Sequence, residues 1–199
     1  MTKNWMLRPR LPHLTKAQLT NKIGVNTLDT IMTIMGWKGG PNGKELDDDK
    51  LDCTYRKLRT IIDIQLKSRS LAEKRKCWGW EIIAEKQKID KSFYDNRFSF
   101  LALVGIKLDA IFEDKTEKFP QVALIPGKAV VKYFTEIAPK SRIITLYLKK
   151  LLEGNYPEWN CYFGENNIRK LLAETLFKGE EEEDRLELWD KQDKGSASL

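Results

Sequence analysis

"LDCTYRKLRTIIDIQLKSRS", residues 51 to 70, spaces Leu51, Tyr55, Leu58, Ile62 and Leu66 three or four apart, with Arg56, Lys57, Arg59, Lys67 and Arg69 lying off that stripe. Such spacing keeps one apolar stripe over four turns and predicts an amphipathic α-helix with a basic outer side. The pattern runs on through Leu71 and Ala72 into "KRKCWGWEII", where Gly79 marks a break or bend. From Arg56 to Trp80, eight basic residues face only Asp63 and Glu73. Lys74, Arg75 and Lys76 beside Trp78 and Trp80 form the combination a single-strand or RNA binder uses, with cations on phosphate and indoles stacked on bases. Trp78 reads equally as a core anchor, because it stands four residues before Ile82.

Upstream, "LTKAQLTNKIGVNTLDTIMTIMGWKGGPNGK", residues 14 to 44, reads as two helices and a loop. Thr15 is the N-cap of a helix from Lys16 to Ile23, and Gly24 ends it. A second helix from Asn26 to Met35 carries Leu28, Ile31, Met32 and Met35 at helical spacing and stops at Gly36. In its Thr-Lys-Ala start, its Ile-Gly-Val turn and its apolar second segment, the stretch from 14 to 35 resembles the helix-turn-helix class of DNA-binding domains. Ile23 and Val25 match the apolar positions flanking the turn glycine. Thr20 stands where a small residue is usual, and Ile31 and Ile34 fall one place late. The resemblance implies a second helix in the major groove, with Asn26, Thr27 and Thr30 at the bases and Lys16, Lys22, Lys38 and Lys44 on the backbone. Asp29 and the lack of Arg, Lys or Gln on that helix keep a plain helical hairpin as the alternative.

Downstream, "FSFLALVGIKLDAIF", residues 98 to 112, is the most apolar stretch and reads either as a buried helix or as a strand followed by a helix. "QVALI" suits a short strand, and Pro126 the first turn of the next helix. Ser141 is placed to cap a helix over "RIITLYLKKLLE" that Gly154 would end. Ile168, Leu171, Leu172, Thr175 and Leu176 make the clearest one-sided helix of the chain. "EEEED" then reads as a solvated run and "DKGSASL" as a mobile end.

Charge is unevenly distributed. Of the net +6, the stretch from Gly179 to Leu199 contributes −5 (eight acids against three bases), which leaves +11 on residues 1 to 178. A basic body attracts phosphate backbones. Arg56, Lys57, Lys67, Arg69, Lys74, Arg75 and Lys76, with Trp78, are therefore the expected nucleic-acid contacts of the central segment. The three cysteines, Cys53, Cys77 and Cys161, are far apart and give neither a disulfide framework nor zinc spacing. No apolar run approaches the roughly 20 residues of a membrane span, and the start lacks a secretory apolar region, so a cytoplasmic location without membrane is expected.

Catalytic signatures are sparse. The one histidine, His13, excludes a His-based triad or a His-rich metal site that does not use it. "IPGKAVV" keeps Gly127-Lys128 of a phosphate loop but has Val122 for its first glycine and Ala129 for its magnesium-binding hydroxyl. Asp109 with Glu113, Asp114 and Lys115 supplies carboxylates and a lysine such as metal-dependent nucleases use.

The resulting expectation is a mainly α protein, with room for one or two short strands. It divides into a helix-turn-helix-like unit (1–45), basic amphipathic helices (46–95), a C-terminal helical core (96–178) and an acidic, partly disordered tail (179–199). It binds DNA or RNA without chemistry, metal or cofactor, as a regulator or as a subunit of a complex with other proteins. Two alternatives are a helical adaptor burying Trp5, Trp37, Trp159, Tyr162 and Phe163 in protein partners, and the carboxylate nuclease.

Overall fold

A computed structural model describes residues 15–42, 51–70, 79–83, 98–106, 121–141, 143–147, 150 and 153–196. Its centre is a five-stranded mixed sheet, which overturns the mainly α expectation. The strands are β1 (Lys38–Pro41), β2 (Leu51–Lys57), β3 (Thr60–Ser70), β5 (Ser99–Ile106) and β6 (Gln121–Pro126), in the order β1-β2-β3-β5-β6. β3 and β5 are parallel and the other neighbours antiparallel. A separate ribbon pairs β4 (Gly79–Ile83) with β7 (Ile143–Tyr147). The helices are α1 (Lys16–Ile34), α2 (Gly127–Lys132) running into a π-helical turn at Tyr133–Ile137, α3 (Pro157–Asn160) and α4 (Glu165–Ser196).

The opening unit is not a helix-turn-helix. α1 passes straight through Gly24 as one helix of 19 residues, with buried Thr20, Gly24, Val25, Leu28 and Met32 along one side. Its start is the expected one. The Gln18 backbone N–H donates to Thr15 Oγ1 at 3.2 Å and the Thr15 N–H donates back to Gln18 Oε1 at 2.8 Å, a reciprocal capping box. Its end also falls where the sequence places it, before Gly36 at φ 79°. Gly24 serves packing instead of turning, because a Cβ there would overlap Ser68 Oγ on β3. A mid-helix glycine costs about 1 kcal/mol relative to alanine, which close contact between helix and sheet offsets.

Residues 51 to 70 are a β-hairpin, not an amphipathic helix. β2 and β3 pair from Leu51↔Leu66 to Lys57↔Thr60, leaving Leu58 and Arg59 as a two-residue turn with Leu58 at φ 52°. Cys53 and Tyr55 on β2, and Ile62, Ile64 and Leu66 on β3, are buried beneath α1. The apolar stretch resolves as the strand alternative: every residue of β5 is buried, as expected of an inner strand covered on both faces. β6 and the helix beginning after Pro126 stand where the sequence puts them. "RIITLYLKKLLE" does not form the expected helix over its first part, since Ile143–Tyr147 is β7. α4 begins at Glu165 as expected, buries Ile168 and Leu172, and continues through the acidic run to Ser196.

Two cores result. One lies between the sheet and the layer of α1 and α4, around Leu28, Met32, Trp37, Tyr55, Ile64 and Val104. The other lies on the opposite side of β5 and β6, where Leu101, Leu103, Ala123 and Ile125 meet Val130, Phe134, Leu146 and Trp159. The free edge of β6 is covered by residues 162–164: the Leu124 N–H donates to Tyr162 O at 2.9 Å and the Gly164 N–H to Val122 O at 3.0 Å.

Candidate functional site

Successive strand residues point to opposite faces, so the register fixes which side chains share a surface. On β3, the residues facing α1 are apolar or small, and those facing away are Ile61, Asp63, Gln65, Lys67 and Arg69. On β2 the second face carries Thr54, opposite Asp63, and Arg56, opposite Ile61, and the ladder sets Asp52 opposite Gln65. Lys38 and Gly40 of β1 follow opposite Arg56 and Thr54. The same face of β5 and β6 is apolar and sealed by the second core. One face of a single sheet is therefore covered over β5 and β6 and polar over β1 to β3.

The boundary between the halves falls along the parallel pair β3 and β5. Gln65 stands opposite Leu101 and Lys67 opposite Leu103, and both leucines are fully buried. Asp63, Gln65 and Lys67 are each half-buried, spaced two apart along one strand at about 6.8 Å. Beside an apolar wall the local dielectric falls and charge acts more strongly than on open surface. Within this strip the Asn42 side-chain amide donates to Thr54 Oγ1 at 2.7 Å, and the Thr54 hydroxyl donates to Asp63 Oδ1 at 2.8 Å. The Asp63 backbone N–H donates to Phe98 O at 3.1 Å, pinning the strand.

The residues named from sequence disperse. Arg56, Lys67, Arg69 and Lys38 lie on the polar face. Lys57 points to the other side, where its ammonium donates to Met35 O at 2.7 Å and closes the end of α1. Lys16 and Lys22 are exposed on α1, away from this face. Asn26, Thr27 and Thr30 do not present a reading helix. They line a groove of about 530 Å³ between α1, the start of α4 and β6, with Ile31, Val122 and Ile168 beside them. There the Thr27 and Thr30 hydroxyls donate back to Ile23 O and Asn26 O, one turn before each, at 2.8 and 2.7 Å. Lys44, Lys74, Arg75, Lys76 and Trp78 lie outside the described residues, as do Asp109, Glu113, Asp114 and Lys115 of the nuclease alternative.

Sequence reasoning missed Asp52, Asp63 and Gln65. The available signal was the alternation Ile62-Asp-Ile-Gln-Leu-Lys-Ser-Arg69, one residue inward and one outward throughout. Of the aromatics set aside for protein partners, Trp37 and Trp159 are buried in this chain's own cores, and Tyr162 and Phe163 pack against the second. Trp5 lies outside the described residues. Burial raises the Tyr133 and Tyr162 phenols above their usual range, with Glu158 adding to the first and Cys161 to the second. Among the described residues, no three His, Cys, Asp or Glu side chains cluster, and no helix is long and apolar enough to cross a membrane. Comparison with protein-family models, curated proteins and solved structures gives no match for this chain.

Proposed function

We propose that the polar face of β1 to β3 acts on the phosphodiester backbone of a nucleic acid with the help of a divalent cation. One juxtaposition carries the reading: β3 sets Asp63, Gln65 and Lys67 on one face, beside the apolar wall of Leu101 and Leu103, with Asp52 at the register position opposite Gln65. The Asp63 carboxylate and the Gln65 amide oxygen are hard ligand types of the kind Mg²⁺ or Mn²⁺ takes. In the backbone ladder Asp52 is paired with Gln65 and Thr54 with Asp63. Asp63 and Gln65 would hold the cation, whose chemistry there would be Lewis-acid polarisation of a phosphoryl oxygen and acidification of a bound water. Lys67, next on the strand, supplies a fixed positive charge for the negative charge that develops on phosphorus oxygens. Lys38, Arg56 and Arg69 on the same face hold the flanking phosphates.

This places a nuclease reading on the hairpin, while Asp109 and Glu113 of the earlier alternative lie outside the described residues. Binding without cleavage is the second reading, favoured by the same three flanking cations. The three scattered cysteines, one of them buried as Cys53, fit a reducing cytoplasmic setting.

The test is incubation of the full chain with supercoiled plasmid and with single-stranded RNA, in Mg²⁺, Mn²⁺ or EDTA. Cation-dependent cleavage is expected, falling by about 10²-fold or more in Asp52→Asn and in Lys67→Ala while binding persists. Binding with no cleavage in any cation selects the second reading. Neither binding nor cleavage refutes both.

A further inference from the structure

We infer that Arg56 and Ile61, at the turn end of the polar face, form a stacking platform for an unpaired nucleobase, so that the nucleic acid this face takes is single-stranded. The proposal rests on the nucleic-acid reading of the face and needs no cation. Arg56 on β2 and Ile61 on β3 are direct partners in the ladder, and Lys38 on β1 is the partner of Arg56 on its other side. Among the β3 residues of this face, Ile61 alone is apolar, and it is 51% exposed where Asp63, Gln65 and Lys67 are half-buried. Leu58, in the adjoining turn, is exposed as well. Lys57 is turned to the other side and bound to Met35 O, which leaves Arg56 as the β2 cation at this end of the face.

Arg56 is exposed, and its Nε–H donates to Leu58 O at 3.0 Å, which ties one edge of the guanidinium to the turn. A tethered guanidinium is a flat, weakly hydrated cation that stacks on π-systems. An unpaired base offers an exposed π-face with a phosphate joined to it through the sugar. The guanidinium plane and the Ile61 branch suit the base, and the charges of Arg56 and Lys38 suit the phosphate. In a duplex the bases cover one another's faces and present only their edges in the grooves, so a duplex gains the charge and not the stacking. Charge alone would be served equally by lysine at position 56, and strand preference by threonine at position 61.

The measurement is fluorescence anisotropy of the full chain across a salt series in EDTA. The probes are a labelled oligothymidylate of about 12 nucleotides, within the site sizes of single-strand binders, and a duplex of the same length. The parent should bind the single strand more tightly. Arg56→Lys keeps the charge and loses the plane, so single-strand affinity should fall by about fivefold or more, as for loss of one stacked base. Duplex affinity should stay within about twofold of the parent, and the slope of log affinity against log salt should not change. Ile61→Thr should show the same selective loss. Both positions are exposed, and thermal unfolding of each variant should match the parent. If either variant binds the single strand as the parent does, or loses single strand and duplex alike, the platform is wrong and the phosphate reading of the face stands. A parent that binds both probes equally overturns the platform in the same way. A parent that binds neither removes the nucleic-acid reading, and the platform with it.

Discussion

Gly24 and Gly179 do the same work on two different helices. Each faces a hydroxyl residue of β3, Ser68 and Thr60 respectively, and a Cβ at either position would overlap that side chain. Ser68 Oγ and Thr60 Oγ1 are buried with no hydrogen-bond partner among the described residues. Their value is therefore small size beneath a helix backbone. Gly24→Ala should cost up to about 2 kcal/mol, since overpacking runs at about 1–3 kcal/mol and alanine returns about 1 kcal/mol of helix propensity. In a Ser68→Gly background the clash is gone, Val104 Cβ being at ordinary contact distance of 3.9 Å. The same alanine should then be neutral or stabilising. Urea unfolding of the four-member cycle checks this reversal of sign, and additive costs would show that Gly24 is not in contact with Ser68.

Tyr55 gives a second test of the same core. Its hydroxyl donates to the Asp29 carboxylate, and burial first, then that bond, holds the phenol far above its ordinary range. The unfolded chain loses this proton near pH 10, whereas the folded chain keeps it. The contribution is thus complete below about pH 10 and is lost as pH rises above it, because the unfolded state then binds fewer protons. Tyr55→Phe should cost about 1.5–3 kcal/mol at pH 8, the range for a hydrogen bond to a charged group. Its deficit against the parent should shrink at pH 11. A deficit that stays constant between the two pH values would mean that the phenol titrates alike in both states. Tyr133 and Tyr162, also raised by burial, should leave an alkaline slope in both proteins.

The hairpin of β2 and β3 positions the site, and its turn carries strain. Leu58 adopts φ 52° at the first of two loop positions and is 65% exposed, so its side chain recovers little. A non-glycine residue in that region loses about 1–2 kcal/mol, against roughly 0.5–1 kcal/mol for the extra freedom glycine loses on folding. Leu58→Gly should therefore stabilise by up to about 1 kcal/mol, raising Tm by roughly 2–4 °C for a chain of this size. A lower Tm would show that leucine makes contacts worth more than the strain.

This hairpin also shows where the sequence misleads. Four residues is close to one helical turn and is also two full strand periods. Tyr55, and likewise Ile62 and Leu66, fit both patterns, and Leu58, which completed the helical stripe, sits exposed in the turn. The β-branched residues Thr54, Thr60, Ile61, Ile62 and Ile64 were the counter-signal, as were Ile143, Ile144 and Thr145 in β7. What was legible was local: the Thr15 cap, the Gly36 stop, the Pro126 helix start and the one-sided pattern of α4. The site was half legible. Arg56, Lys67 and Arg69 stand out by charge alone, but Asp52, Asp63 and Gln65 acquire meaning only from cross-strand register, which joins residues up to 15 apart between Leu51 and Leu66.

Across the molecule, charge is divided between the two sides of the sheet. The cationic strip lies on the face away from α1, whereas the acidic run begins in α4, which packs on the α1 side. There the Arg59 backbone N–H donates to Glu180 Oε1 at 3.4 Å, at the hairpin tip. An acidic helix behind the sheet acts on the strip through the long-range field and not by covering it. Ending the chain after Glu181 removes six acids and three bases and raises net charge from +6 to +9. It keeps Gly179 on Thr60 and Glu180 on the hairpin. Affinity for random duplex should rise several-fold at about 0.02 M salt, and the difference should vanish near 0.3 M, where the screening length drops below about 8 Å. Ending after Lys178 instead strips both contacts and should lower stability as well, which separates field from fold. If the longer truncation product still binds more tightly than the parent at 0.3 M salt, the acidic segment reaches the cationic strip directly, and its role is competition with the ligand.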